Sequence, residues 1–206
     1  MSVAAAVTGS QGLWFVSRGS GLALLVALSA VVVLGVAARL GSAPKRWARF
    51  VFGELHRTLA VFSVAFLGLH VVTAILDPFV TIGWAATVLP FASGYRTLAI
   101  GLGTLAVDLG GAVLLTSLAR RRLGYRAWRA VHWLAYLAWP SAFVHSLTAG
   151  SADLRIWWVA LIEWGCATAV ATAIVARLLQ AIRHTTPACQ LPAIPDRITP
   201  RERTPR

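Results

Sequence analysis

The chain is short of acidic residues, with seven Asp and Glu against 19 Lys and Arg, and charged residues of either sign make up only 13% of its 206 positions. A soluble domain carries about a quarter charged residues and about half apolar ones. With 58% hydrophobic residues, this chain needs lipid around much of its surface. Cysteine is scarce too, with Cys166 in an apolar block and Cys189 in a polar tail. No Cys-x-x-Cys or Cys-x-x-Cys-His occurs, which excludes covalently attached c-type haem and thiolate-bound iron–sulfur clusters. A disulfide between the two is not expected, because the tail is read as cytoplasmic and therefore reduced. A nucleotide-binding unit is missing as well. Gly101-x-Gly103-x-x-Ala106, with Asp108 close behind, fits a loose dinucleotide fingerprint but lacks the strand and the soluble βαβ unit that give the fingerprint its meaning. Inside an apolar helix those small residues are packing positions.

What the chain does have is apolar blocks, at residues 13–38, 56–76, 96–118, 132–149 and 157–179. Each is close to the roughly 20 residues that cross a hydrocarbon core. The expected fold is all-α, an integral membrane bundle of about five transmembrane helices. The first block is longer than a signal-peptide core and its leader, residues 1–12, carries no Lys or Arg, so it is read as a retained helix. Residues 13–184 form the membrane domain, and 185–206, rich in Pro, Thr and Arg, are a disordered tail. Gly41-Ser42-Ala43-Pro44 and Leu76-Asp77-Pro78 are surface turns. Residues 83–95 are an outer loop or interfacial half-turn, with Trp84 and Tyr95 at headgroup level.

The net charge of +12 follows topology and gives no support to nucleic-acid binding. Arg39, Lys45, Arg46 and Arg49 follow the first block, Arg120, Arg121, Arg122, Arg126 and Arg129 the third, and Arg177 and Arg183 the fifth. The other two loops hold almost none. Positive residues favour the cytoplasmic side, which puts the amino terminus outside and the carboxyl terminus inside a plasma membrane. The basic loops suit anionic lipid or the docking of an acidic electron donor.

Four of the five histidines lie in the apolar blocks, where ionisable groups are costly and face the bundle interior. His56 and His70 are 14 positions apart on the second block; His132 and His145 are 13 apart on the fourth. At 1.5 Å per residue these are rises of about 21 and about 19.5 Å. Helices separated by one span run in the same direction, so His56 meets His132 near the inner face and His70 meets His145 near the outer face. A haem at each level would be bound at both axial positions by imidazole nitrogen. Fourteen residues return to within about 40° of the same helix face, whereas 13 leave an offset of about 140°. Pro140 lies between His132 and His145 and is expected to distort the helix there.

The runs Leu55-His56-Arg57 to Leu69-His70-Val71, and Trp128-Arg129-Ala130-Val131-His132-Trp133-Leu134-Ala135-Tyr136 to Val144-His145-Ser146, resemble the ferric reductase-like transmembrane domain. That haem-binding module is shared by ferric reductases, NADPH oxidases and the haem-binding subunit of bacterial methionine sulfoxide reductase. The likeness spans about residues 13–179. It implies two b-type haems, His56 with His132 and His70 with His145, and electron transfer across the membrane to ferric iron or a partner redox protein outside. Larger members of the family usually have six helices or more and a flavin and nicotinamide domain. The likeness here is to the stand-alone membrane module, whose donor is a separate flavoprotein, flavin or quinol.

Haem propionates want cations. Arg57 and Arg129 beside the inner level, Arg96 and Arg155 near the outer surface, and Arg18 about a turn inside the first helix are the candidates, and Glu163 is the rival partner for Arg18. Each of the other four has a simpler reading as an interfacial anchor. Asp108 either moves protons or bonds a neighbouring helix, and His184 is read as solvated. Two other functions stay open. One is a haem-free transporter or proton-conducting protein whose His and Asp residues form a relay; the other is a membrane anchor for a soluble redox enzyme.

Overall fold

The computed structural model describes the backbone of residues 3–40, 46–78, 82–150 and 153–185. The turn expected at 41–44, the tail from residue 186 with Cys189, and the side chain of His184 lie outside the described residues. Among the described residues every regular element is helical: α1 (Val3–Leu40), α2 (Arg46–Leu76), α3 (Thr97–Leu118), α4 (Arg120–His132), α5 (Ala135–Ala149) and α6 (Trp157–Thr185), with short 3-10 turns at Trp84–Thr87 and Asp153–Arg155. This is the expected all-α membrane protein. Gln11–Leu40, Phe50–Leu76, Thr97–Leu118 and Trp157–Arg183 are each long and apolar enough to cross a membrane. The remaining apolar block is shorter: α5 has 15 residues, about 22 Å of rise, and continues the line of α4 after a break at Trp133 and Leu134. Four long spans plus this embedded helix are roughly the five expected.

Burial is inverted relative to a water-soluble protein. Few large side chains are enclosed, chiefly Leu24, Leu25 and Val36 of α1 with Val159 and Val170 of α6, while Phe50, Val61, Leu115, Trp157 and Leu161 are more than half exposed. Such an apolar exterior suits hydrocarbon. α1 is the axis, packed against α2, α5 and α6, while α3 packs against α4 and α5. Polar ties fix the register between these helices. Trp139 Nε1 of α5 donates to Ser29 Oγ of α1 at 2.9 Å, and Gln180 Nε2 of α6 to the Leu40 carbonyl at 3.2 Å.

α2 ends at Leu76, ahead of Asp77-Pro78 as expected. The loop after it turns inward. Ala86 is buried, Thr104 Oγ1 of α3 donates to its carbonyl at 2.6 Å, and Phe91, at φ 65°, lies over Gly101. Trp84 and Tyr95 stay exposed, as interfacial aromatics do. α4 is amphipathic and basic, and it is kinked at Gly124, whose φ of 75° and ψ of 162° are not helical; that conformation favours glycine. Its Tyr125 faces Arg39 at the end of α1, and the guanidinium holds the phenol below the ordinary tyrosine pKa.

More than half of the phase conflict between His132 and His145 is relieved in the turns before Pro140. Trp133, Leu134, Tyr136 and Leu137 donate to carbonyls three residues back, at 2.9–3.3 Å, which is 3-10 geometry. Four residues turned by about 120° instead of 100° recover roughly 80° of the 140° deficit. Proline has no N–H to donate to the carbonyl four residues behind it, here that of Tyr136, and its ring crowds that carbonyl, so the preceding turn tightens. α5 itself runs through Pro140 unbroken.

A Cβ added at Gly101 would stand 2.2 Å from the Phe91 ring. Gly101→Ala should therefore expel Phe91 from α3 and destabilise the protein by about 1–3 kcal/mol, read as a lower thermal midpoint in detergent by circular dichroism.

Candidate functional site

A cavity of about 1670 Å³ runs through the bundle, and all four membrane histidines line it. It is larger than the roughly 300–1,000 Å³ of a single ligand pocket. α2 carries His56 and His70, α4 ends on His132 and α5 carries His145. The fold brings them together as two pairs. Ring centroids are 6.5 Å apart for His56 and His132 and 6.2 Å for His70 and His145. Two imidazoles binding one metal end-on from opposite sides, each at about 2 Å, have centroids roughly 6 Å apart.

Three of these rings are held by the backbone of a neighbouring helix. His56 Nδ1 lies 2.9 Å from the Val31 carbonyl and His70 Nδ1 2.8 Å from the Ser17 carbonyl, both on α1; His145 Nδ1 lies 2.7 Å from the Ala99 carbonyl on α3. A carbonyl can only accept, so Nδ1 carries the proton and Nε2 keeps its lone pair, the tautomer a metal ligand needs. His132 differs: its Nδ1 is buried and has no partner. The close approach needs glycine. A Cβ at Gly21 would stand 3.0 Å from His70, at Gly35 3.3 Å from His56, and at Gly103 2.7 Å from His145. Gly103 of the false dinucleotide fingerprint is thus a packing position, and what packs there is an imidazole.

The ends of the cavity are cationic. Arg57 and Arg129 line it beside the His56/His132 level, together with Arg39, Arg120 and Arg177. Arg177 is the residue sequence reasoning missed. It donates to the Tyr136 hydroxyl at 2.7 Å and lies 4.8 Å from the Trp133 ring centroid, so it is drawn inward rather than spread over the surface. Its place inside the last apolar block, two residues before the end at 179, was the available signal. At the other end, Arg18 and Arg96 line the cavity and cap the last carbonyls of α5: Arg18 binds Ala149 at 3.1 Å, and Arg96 binds Thr148 and Ala149 at 3.1 and 3.0 Å. Arg18 pairs with Asp153 at 3.1 Å and not with Glu163. Glu163 is buried and takes its hydrogen bond from Ser146, next to His145. Arg155 is exposed and does not line the cavity. Asp108 is likewise exposed, on the face of α3 turned away from the cavity, so it stands apart from the histidines.

Among the described residues no three His, Cys, Asp or Glu side chains converge on one point. A metal ion held by protein side chains alone usually wants about four ligands. Two opposed imidazoles per level, in an apolar shaft with arginines at its ends, instead fit a planar macrocycle that brings its own equatorial nitrogens and anionic arms. The family described as ferric reductase like transmembrane component matches residues 20–143, more than half of the chain. The match takes in His56, His70 and His132 and stops two residues before His145. No curated protein and no solved structure matches.

The glycine contacts are open to test without any cofactor. Gly103→Ala should cost about 1–3 kcal/mol by driving His145 off its carbonyl. Gly110→Ala, which meets nothing within 4 Å, should be neutral or stabilise by up to about 1 kcal/mol through helix propensity. Thermal unfolding of both variants in detergent gives the comparison.

Proposed function

This chain belongs to the ferric reductase-like transmembrane family, a membrane redox module, and from that membership we propose that it is a b-type cytochrome carrying two bis-histidine haems. The observation that carries the proposal is the pair of imidazole pairs at ligand spacing, 6.5 and 6.2 Å between centroids, three of the four rings fixed with Nε2 free. His56 and His132 would hold one haem, and His70 and His145 the other. Bound there, haem supplies reversible one-electron exchange at iron.

The chain's own residues do the rest. Helix carbonyls of Ser17, Val31 and Ala99 hold the ligand rings in one tautomer and orientation. The apolar walls of α1, α2, α3 and α5 keep water from the shaft and so tune the potentials. Arg57, Arg129, Arg39 and Arg177 at one end, and Arg18 and Arg96 at the other, offer charge-assisted bonds to propionates. With two histidines at each level to hold it, a haem there would suit electron passage rather than oxygen binding. The levels are separated by a rise of about 20 Å along α2, so the pair would pass electrons across the membrane. The basic loops favour the His56/His132 level inside and the His70/His145 level outside a plasma membrane. A separate flavoprotein, flavin or quinol would be the donor, and ferric iron or a redox protein the acceptor. The haem-free relay reading gains no support from Asp108, which faces away from the cavity.

Haem quantification and reduced-minus-oxidised spectra of the purified chain and its four single His→Ala variants test this. Two haems in the wild type and about one in each variant are expected. Protein without haem bands after haem-supplemented expression would sink the proposal.

A further inference from the structure

Three of the four histidines obey one rule. His70 bonds the carbonyl of Ser17, four residues before Gly21; His56 that of Val31, four before Gly35; His145 that of Ala99, four before Gly103. In an α-helix the carbonyl of residue i−4 is bonded by the amide of residue i and lies beside its Cβ. Glycine at i uncovers the second lone pair of that carbonyl for a neighbouring helix. On α1 the two glycines are 14 residues apart. The same step on α3, from Gly103, reaches position 117, and the matching carbonyl is that of Val113.

Position 117 is serine. Ser117 Oγ donates to the Val113 carbonyl at 2.6 Å and accepts from Trp128 Nε1 at 3.2 Å; Thr116 Oγ1, whose shorter bond goes to the Ala112 carbonyl at 2.7 Å, also reaches the Val113 carbonyl at 3.2 Å. Trp128 in turn lies against His132, with centroids 4.9 Å apart and planes inclined by 32°. The fourth carbonyl is therefore taken, and His132 Nδ1 is left buried without a partner. We infer that Ser117 is a positioning residue: with Trp128 it withholds the Val113 carbonyl from His132 and makes the His56/His132 level the weakly ligated one. The inference rests on the haem-binding reading above. A hydrogen bond from Nδ1 raises the basicity of a ligating imidazole, and a more basic ligand favours ferric iron. His132, lacking that bond, is the poorer donor and the more easily displaced ligand. Its level has a higher potential than the same level would have with the bond made.

Redox titration of the haem-loaded full chain, with Ser117→Gly and Ser117→Ala beside wild type, tests it. Ser117→Gly removes both the shorter side-chain bond to that carbonyl and the Cβ beside it, leaving only the longer Thr116 contact, and should lower one of two midpoints by about tenfold in the ferric-to-ferrous ratio, about 59 mV for one electron. The other midpoint should stay. Ser117→Ala loses the same hydroxyl and the same Trp128 bond but keeps a Cβ where the imidazole must approach, and should leave both midpoints in place. Equal shifts in the two variants, or none in either, overturn the inference. The wild type gives a second measurement that needs no variant to fold: carbon monoxide added to the reduced protein should bind at one of the two haems. Binding at neither, or at both alike, also overturns it. A wild type that loads two haems and fails these tests leaves the haem assignment standing; one that loads none removes both.

Discussion

An imidazole inside an apolar bundle must spend one nitrogen on a hydrogen bond before the other is free to act, and the bundle is arranged around that requirement. An unpaired buried donor costs on the order of 1–3 kcal/mol, and lipid offers no partner for it. The available acceptors are helix carbonyls, already bonded once along their own helix but with a lone pair to spare. A side chain reaches that lone pair only where the carbonyl is not shielded by a Cβ. Hence α1, which carries Gly21 and Gly35, packs tightly along α2, and α3, which carries Gly103, packs along α5. The glycine step of 14 residues on α1 equals the histidine step on α2 because both helices rise at the same rate. Neither helix could shift by a turn against the other without orphaning both rings.

The same requirement explains the irregular part of the fold. A straight helix through both His132 and His145 would aim them to different sides. The tight turn at Trp133–Leu137, forced by the proline that follows, winds the helix enough to bring both toward the shaft. The cost is a break in the span, which leaves α5 only 15 residues long. α4 compensates by anchoring at the surface through its arginines and through Tyr125 on Arg39.

Composition alone dictated helices in lipid, and the depth of each histidine followed from the constant rise of a helix. The two pairs were legible for that reason. Less legible was everything that depends on the rotation of one helix against another. The expected choice of partner for Arg18 shows this: the 3-10 turn at Asp153–Arg155, ahead of α6, brings Asp153 to Arg18, whereas Glu163 lies buried inside α6 and takes its bond from Ser146. Arg177 turns inward because Tyr136, across the bundle, offers a hydroxyl and Trp133 a ring face. Nothing adjacent in sequence announces either partner. The glycine step was written in the sequence, but its meaning lies in the carbonyl four residues earlier, a backbone group that residue types do not display.

The bundle therefore uses one device twice, a glycine-bearing helix set against a histidine-bearing one, and the second copy is incomplete. α1 with α2 supplies one anchored imidazole to each level; α3 with α4 and α5 supplies an anchored imidazole to one level and an unanchored one to the other. The two levels share a shaft and a pair of imidazoles each, yet one of the four rings lacks the hydrogen bond the other three make. A chain of redox centres works through the difference in potential between neighbours, and axial ligand basicity is one of the few levers a protein holds over iron. With haem held at both levels as proposed, serine where the repeat calls for glycine would change that lever at one level and leave the helix packing of the other intact.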